Sequence, residues 1–437
     1  MLLSPYSGRA WSHAEEKVPS RMFTSEREMH EWLIGKLRES DGVADLVINS
    51  DYLEGFQPRT PEESRLHESF SCCLEALYIN YVITSNENIS LKPGDTLCPD
   101  VLMYAPETQS AVIVELKNIA GPTRQAGTEL SAYAAELRSY VPFISDGEIV
   151  NVVISTCWPT LLRHYVVHEV FWLHRKMICL EPVLSAEGPA LLIKSIPDLL
   201  ETDLPLRISA RHLGGYHLCL YDDSLYSVPR NRTRLDAHLT QMRTALAAMA
   251  TKGNALRGHG FALLWKSSWE LSLAPYTIAL VNFAAFQSIE RFLHPPQSEA
   301  HLTPIQRRLF RCVQEHSPDG ASQALAEIEA HGSRFFVNIC SPQPEGFSTW
   351  DQIQRSMENH HAEMIAFQGW GLFGEMFSKR LAQAYEAGDS DTAWDCPTIG
   401  LSVVSELIDS DYDFVDVSHW PLFNDAGFDE EGEDEDE

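Results

Sequence analysis

Apolar residues recur along this chain in two rhythms, one near 3.6 residues and one near two, and together they parse most of its length. Residues 61–81 (PEESRLHESFSCCLEALYINY) place apolar side chains at 66, 70, 73, 74, 77, 78 and 81, which predicts a helix. Residues 82–91 follow as a first strand. Residues 97–104 (LCPDVLMY) and 111–117 (AVIVELK) are apolar runs of strand composition. The stretch between them (APETQS) is rich in turn formers, so the pair predicts a β-hairpin. A second helix is expected over 123–140 and a further buried strand over 149–157. Upstream, positions 29, 32, 33 and 37 form one apolar stripe of a helix over 25–40, and residues 1–55 read as an N-terminal helical extension. Another apolar stretch runs from 165 to 180, and a Pro-, Asp- and Leu-rich passage at 182–206 marks a border near residue 200.

The second half, residues 201–424, has an α+β pattern. Strands are expected at 216–221, 260–265, 276–283 and 335–340, and helices at 234–251, 304–316, 320–331 and 350–387. No internal repeat of fixed period interrupts this alternation.

Charge breaks the apolar pattern of the hairpin at one place. Side chains on a strand repeat with period two, so Glu115 and Lys117 share a face while Val112, Val114 and Leu116 take the other. Asp100, after Pro99, stands at the start of the neighbouring strand. A buried charge is costly unless it is paired or bound to a metal. Two carboxylates on adjacent strands beside a lysine are suited to holding Mg²⁺ against a phosphate, since that ion takes one or two carboxylates and keeps several waters. The lysine would orient the attacking water or neutralise charge in the transition state. A surface ion pair at a strand end, worth little, is the alternative.

Pro99-Asp100 followed by Glu115-Leu116-Lys117 resembles the signature of the PD-(D/E)xK nuclease superfamily, and the surrounding elements run in that superfamily's order of helix, three strands, helix, strand. The resemblance covers roughly residues 60–180. It implies a restriction-endonuclease-like αβββαβ core within residues 56–200, of α/β class, next to a second α+β domain of unrecognised fold. It further implies Asp100, Glu115 and Lys117 as catalytic residues, with Asp100, Glu115 and the Leu116 carbonyl holding Mg²⁺ or Mn²⁺. Many members add a glutamate from the first helix, for which Glu75 is the first choice and Glu68, seven residues earlier on the same face, the second. Some carry Gln-x-x-x-Tyr on the helix after the lysine; here the motif reads Glu129-x-x-x-Tyr133, with Gln125 one turn earlier. The implied activity is Mg²⁺-dependent hydrolysis of phosphodiester bonds in nucleic acid, with DNA preferred over RNA by the resemblance alone.

Composition both supports and complicates this expectation. A hydrophobic content of 44% with 10% aromatics is that of a globular chain. No apolar run approaches the ~18–20 residues of a membrane span, and the N-terminus lacks a secretory pattern. Nine scattered cysteines without a C-x-x-C suit a reducing cytoplasm rather than a disulfide framework or zinc ribbon. The net charge of −29 is unusual for a nucleic-acid enzyme, which normally shows a basic footprint. Residues 425–437 read as a disordered acidic tail, but the eight acidic residues of 429–437 leave most of that charge in the body. The acidity keeps two other readings open: a catalytically silent nuclease fold that binds a protein partner through its acidic surface, and a defence or toxin nuclease activated by a partner.

Three features of the second half invite a functional reading. Arg230, Arg232 and Arg234 form a dense basic cluster at an expected helix start, a candidate nucleic-acid contact. His360-His361-x-Glu363 has metal-ligand composition, but adjacent helical residues point about 100° apart. Gly369-Trp370-Gly371-Leu372-Phe373-Gly374 matches G-x-G-x-x-G, yet the residues before it read as helix, so close packing is expected instead of a dinucleotide site.

Overall fold

The computed structural model describes residues 22–118, 124–200, 210–226, 231–284, 303–315, 322–389 and 392–408. The acidic tail lies outside the described residues. The chain divides into two compact units, Met1–Asp203 and Leu204–Glu437. Each is mixed α and β, built on one sheet.

In the first unit the elements are α1 (Glu26–Leu37), α2 (Asp51–Gly55), α3 (Pro61–Glu75), β1 (Tyr81–Ser85), β2 (Val101–Ala105), β3 (Ser110–Lys117), α4 (Arg124–Tyr140), β4 (Ile149–Ser155), α5 (Thr160–Val167), β5 (Lys176–Ser185), β6 (Gly188–Ile193) and α6 (Ile196–Leu200). Ser25 starts α1 by accepting the Glu28 N–H, and Thr60 does the same for α3 with Pro61 in its first turn. The six strands lie side by side in chain order. β1, β2 and β3 form an antiparallel meander. β3, β4 and β5 are parallel, and β6 returns antiparallel to β5. Parallel neighbours need a crossover, which α4 and α5 supply.

α3 stops at Glu75, earlier than its periodicity suggests, because Tyr81 already pairs with Tyr104 of β2. Residues of the 22–55 stretch pack into the core of this unit. Met29, Leu33 and Val43 are fully buried in one core with Leu66 and Phe70 of α3 and Val112 and Val114 of β3, and α1 packs against β3.

The second unit contains β7 (Leu213–Tyr221), α7 (Leu239–Ala255), β8 (Gly260–Lys266), β9 (Tyr276–Phe283), α8 (Pro304–Glu315), α9 (Gln323–Ser333), β10 (Ser341–Thr349), α10 (Trp350–Asn359), β11 (Glu363–Trp370), α11 (Leu372–Glu386) and α12 (Pro397–Leu407). Its sheet runs β10-β7-β9-β8-β11, antiparallel throughout. Met242 and Leu246 of α7 and Ile328 of α9 belong to one core on this sheet. Ile353 of α10, Phe373 of α11 and Val403 of α12 belong to another.

Two sequence expectations change here. Residues 335–340 form turns, and the strand is the following segment, β10. Pro342 and Pro344 disguise it, but β10 is an edge strand, where proline is tolerated. The long helix expected over 350–387 is instead α10, β11 and α11. β11 buries Ala366 and Trp370 in one core and Phe367 in the other, so its sequence lacks the alternation that marks a one-sided strand. No described helix is long and apolar enough to cross a membrane.

Candidate active site

Strand register brings the hairpin's charges together. Val101 lies opposite Val114 in the antiparallel β2–β3 ladder, so one step further Asp100 falls across from Glu115 and shares its face. β4 runs parallel on the other side of β3, with Val153 beside Glu115 and Ser155 beside Lys117. Asp100 Oδ2 accepts the Leu116 N–H at 2.7 Å, which fixes its carboxylate against the peptide between Glu115 and Lys117. Lys117 Nζ donates to Glu115 Oε1 at 2.5 Å and to Glu129 Oε2 at 3.3 Å. The Glu115 side chain is 4% exposed and that of Lys117 14%. Glu115 Oε2 is buried and has no hydrogen-bond partner.

Electrostatics follow from that burial. Glu115 is pushed up to about 9, first by desolvation and then by the Asp100 charge, with Lys117 opposing both. Asp100 is also raised by burial, against the Leu116 N–H and Lys117. Burial disfavours the Lys117 ammonium, but Glu115 and Glu129 outweigh it and hold the side chain in its charged form. Burial raises Tyr133 as well, helped by Glu115, Glu129 and Asp100. The centre is therefore short of positive charge, the condition under which a cation is favoured.

Several contacts hold the Asp100 segment in place. The Tyr133 hydroxyl donates to the Cys98 carbonyl at 2.9 Å, and the Asn86 N–H lies 3.2 Å from the carbonyls of both Pro99 and Asp100. Glu129 and Tyr133, one turn apart on α4, both reach the site. Gln125 opens the same helix, but its side chain lies outside the described residues.

The first-helix glutamate is not where the sequence placed it. Glu68 and Glu75 are exposed on α3, whose packing partners are β5 and α6, and neither joins the cluster. Glu26 of α1 stands there instead. It accepts the Asn118 N–H at 3.3 Å, and its charge acts on both Asp100 and Lys117. His30, one turn on, has Nε2 3.1 Å from the Asp100 carbonyl and 2.8 Å from Ser85 Oγ. The acid-histidine spacing i, i+4 was visible in the sequence, but nothing local tied it to a strand some 70 residues downstream.

The basic cluster serves the fold of the second unit. Arg234 makes paired hydrogen bonds to the fully buried Asp222, at 2.9 and 3.1 Å, and donates to the Ile339 carbonyl. Arg232 donates to the Trp269 and Glu270 carbonyls. Both arginines are committed internally because a buried carboxylate and turn carbonyls need donors, and α7 begins five residues after Arg234. Arg230 lies outside the described residues. His360 is packed between Trp265 and Trp269 and bonds Ser267 Oγ, so it is no ligand pair with His361.

The glycine motif does stand between a strand and a helix, contrary to the sequence reading, and it is still no phosphate cradle. The sheet is antiparallel, and the N–H groups that open α11 are taken: Gly371 donates to Asn254 Oδ1 and Leu372 to His259 Nδ1. A Cβ on Gly369 would sit 2.7 Å from the Gly374 nitrogen, so these glycines allow β11 and α11 to touch.

Among the described residues no three His, Cys, Asp or Glu side chains form a group able to hold a metal by themselves. Mg²⁺ does not require one, since one or two carboxylates with waters and substrate oxygens suffice. Asp100 and the unpartnered Glu115 oxygen supply two carboxylates, a hard-oxygen set of that size. Comparison of the chain with protein families, curated proteins and solved structures finds no match.

Proposed function

We propose that the first unit is a metal-dependent nuclease of the PD-(D/E)xK type, hydrolysing phosphodiester bonds of nucleic acid with Mg²⁺ or Mn²⁺ as cofactor. One observation carries the reading: Asp100, Glu115 and Lys117 meet on one face of a buried hairpin, and one Glu115 oxygen is left without a partner. The helix, three strands, helix, strand order of α3 to β4 supports it.

Asp100, Glu115 and the Leu116 carbonyl are the residues that would hold the ion. When bound, the ion supplies Lewis-acid stabilisation of phosphate charge and a more acidic water. Lys117 stays protonated between Glu115 and Glu129, so its part is to neutralise developing charge and orient water, not to act as a base at neutral pH. Tyr133, Asn86 and His30 fix the backbone of the Asp100 turn, which keeps the two carboxylates in register.

The test is cleavage of DNA and RNA substrates with Mg²⁺ by the wild type, Asp100→Ala and Lys117→Ala, with circular dichroism confirming that each chain folds. Both variants should lose cleavage. Equal activity in all three ends the proposal. The net charge of −29 favours a second reading, a nuclease fold kept for binding a protein partner. Calorimetry with Mg²⁺ and Mn²⁺ separates the two, because a silent module need bind neither ion.

A further inference from the structure

α8 carries a concentration of positive charge that no described carboxylate pairs with. Arg307, Arg308 and Arg311 occupy one side of this 12-residue helix, and its first acidic residue is Glu315, at the very end. Arg308 and Arg311 are exposed. Elsewhere in the second unit Arg234, Arg243, Lys252, Lys266 and Arg380 each face a carboxylate: Asp222, Asp395, Glu327, Asp236 and Glu406. None of the three α8 arginines has an ion-pair partner among the described residues. In a chain of net charge −29, three guanidinium groups on one helix face without an ion-pair partner among the described residues suit a strongly anionic partner.

We infer that α8 is a phosphate-contact helix for the nucleic-acid backbone, an inference that rests on the nuclease reading for the identity of its partner. Guanidinium groups present forked donors that match phosphate oxygens two at a time. Arg307 and Arg311, four residues apart, are separated by about 6 Å along the axis, a span over which duplex DNA presents roughly three to four charges. The helix has an apolar side as well, with Ile305 64% and Leu309 46% exposed. Cys312 and Val313 continue that row, but apolar side chains offer nothing to a phosphate, whereas forked guanidinium donors do. The arginine side is therefore the recognising one. It also supplies the basic footprint that Arg232 and Arg234, tied up in internal contacts, do not.

The experiment uses the full chain with EDTA present, so that cleavage plays no part. Fluorescence anisotropy of a labelled DNA duplex, from about 50 to 200 mM salt, gives affinity and salt slope for four proteins. These are the wild type, the triple variant Arg307→Ala/Arg308→Ala/Arg311→Ala, its Arg→Lys counterpart, and Arg27→Ala, which removes an exposed cation already paired with Glu31. The alanine triple should bind roughly tenfold or more weakly, with a salt slope shallower by about 2.7, from 0.9 per lost phosphate contact. The lysine triple should keep most of the slope, and Arg27→Ala should match the wild type. Unchanged affinity and slope in the alanine triple overturn the inference. So does a result in which that variant loses only its partition onto phosphatidylserine vesicles. Loss of duplex binding in the triple while Lys117→Ala and wild type cleave alike would refute the nuclease reading and leave this one standing. The converse, Lys117-dependent cleavage with duplex binding indifferent to α8, would do the opposite.

Discussion

Replacing Glu115 by Gln should stabilise the first unit at neutral pH and remove its affinity for Mg²⁺ in the same step. Glu115 titrates at about 9 in the folded chain against an ordinary value of 4.5, because it is buried beside Asp100. A carboxyl with a raised pKa is at no disadvantage below its unfolded value, and stability then declines as pH rises from there towards the folded one. At pH 7 the unfolded chain is about 2.5 pH units above its titration point, which corresponds to roughly 3 kcal/mol at 1.36 kcal/mol per unit. Gln keeps the shape and has no proton to acquire. The gain is reduced by the lost pairing with Lys117, which retains Glu129 at 3.3 Å. The net expectation is about 1–3 kcal/mol of added stability near pH 8 and none near pH 4.5. Urea unfolding of both proteins at the two pH values measures the difference, and calorimetry measures Mg²⁺ binding. A variant less stable than wild type near pH 8, or a difference that does not vary with pH, refutes the reasoning. Added Mg²⁺ should raise the stability of the wild type alone, since the ion binds the ionised carboxylate.

Glu26→Gln should weaken Mg²⁺ binding about tenfold by calorimetry, in the range seen for supporting groups around a metal, whereas Glu68→Gln and Glu75→Gln should leave it unchanged. Arg234→Ala strands the buried Asp222 carboxylate, and because Arg234 itself is about a third exposed the expected loss is roughly 2–4 kcal/mol, read by calorimetric unfolding. Asp222 is held below its ordinary value by Arg234 despite the opposing effect of burial, so this pair's contribution should fade as pH drops through the acid range. Gly371→Ala should lower stability by about 2 kcal/mol or more. Its φ is +57°, and a Cβ there would meet the Gly258 carbonyl at 2.4 Å, while no dinucleotide should bind either protein.

What the sequence made legible was local. Glu115 and Lys117 lie on one strand, so a period of two was enough to place them on a common face, and the expected hairpin put Asp100 on the adjacent strand. Glu129 and Tyr133 were suggested by the resemblance to Gln-x-x-x-Tyr, and a spacing of four keeps them on one side of α4. Glu26 and His30 escaped because their relation to Asp100 depends on how α1 packs against β3, which no short-range pattern encodes. Glu75 was chosen by spacing along the chain, but α3 turns it to solvent. β11 was misread because two-sided burial removes the polar half of a strand's alternation, and β10 because its prolines imitate a loop. Arg234 looked available for phosphate only because Asp222, its partner, gives no sign in the sequence of being buried.

The position of α1 has a consequence for how the chain is made. The Asn118 side chain donates to the Phe23 carbonyl across 95 residues, and α1 seats Met29 and Leu33 in a core that includes β3. During synthesis α1 leaves the ribosome before β3 and must wait for that partner strand. At about 5–20 residues per second the delay is roughly 5–20 seconds, with the apolar stripe of α1 uncovered. The hairpin bearing Asp100, Glu115 and Lys117 closes within 18 residues and needs no such delay. The candidate site is therefore assembled in two stages, a fast local one and a slow long-range one, and a chaperone that shields α1 would act on the second stage alone.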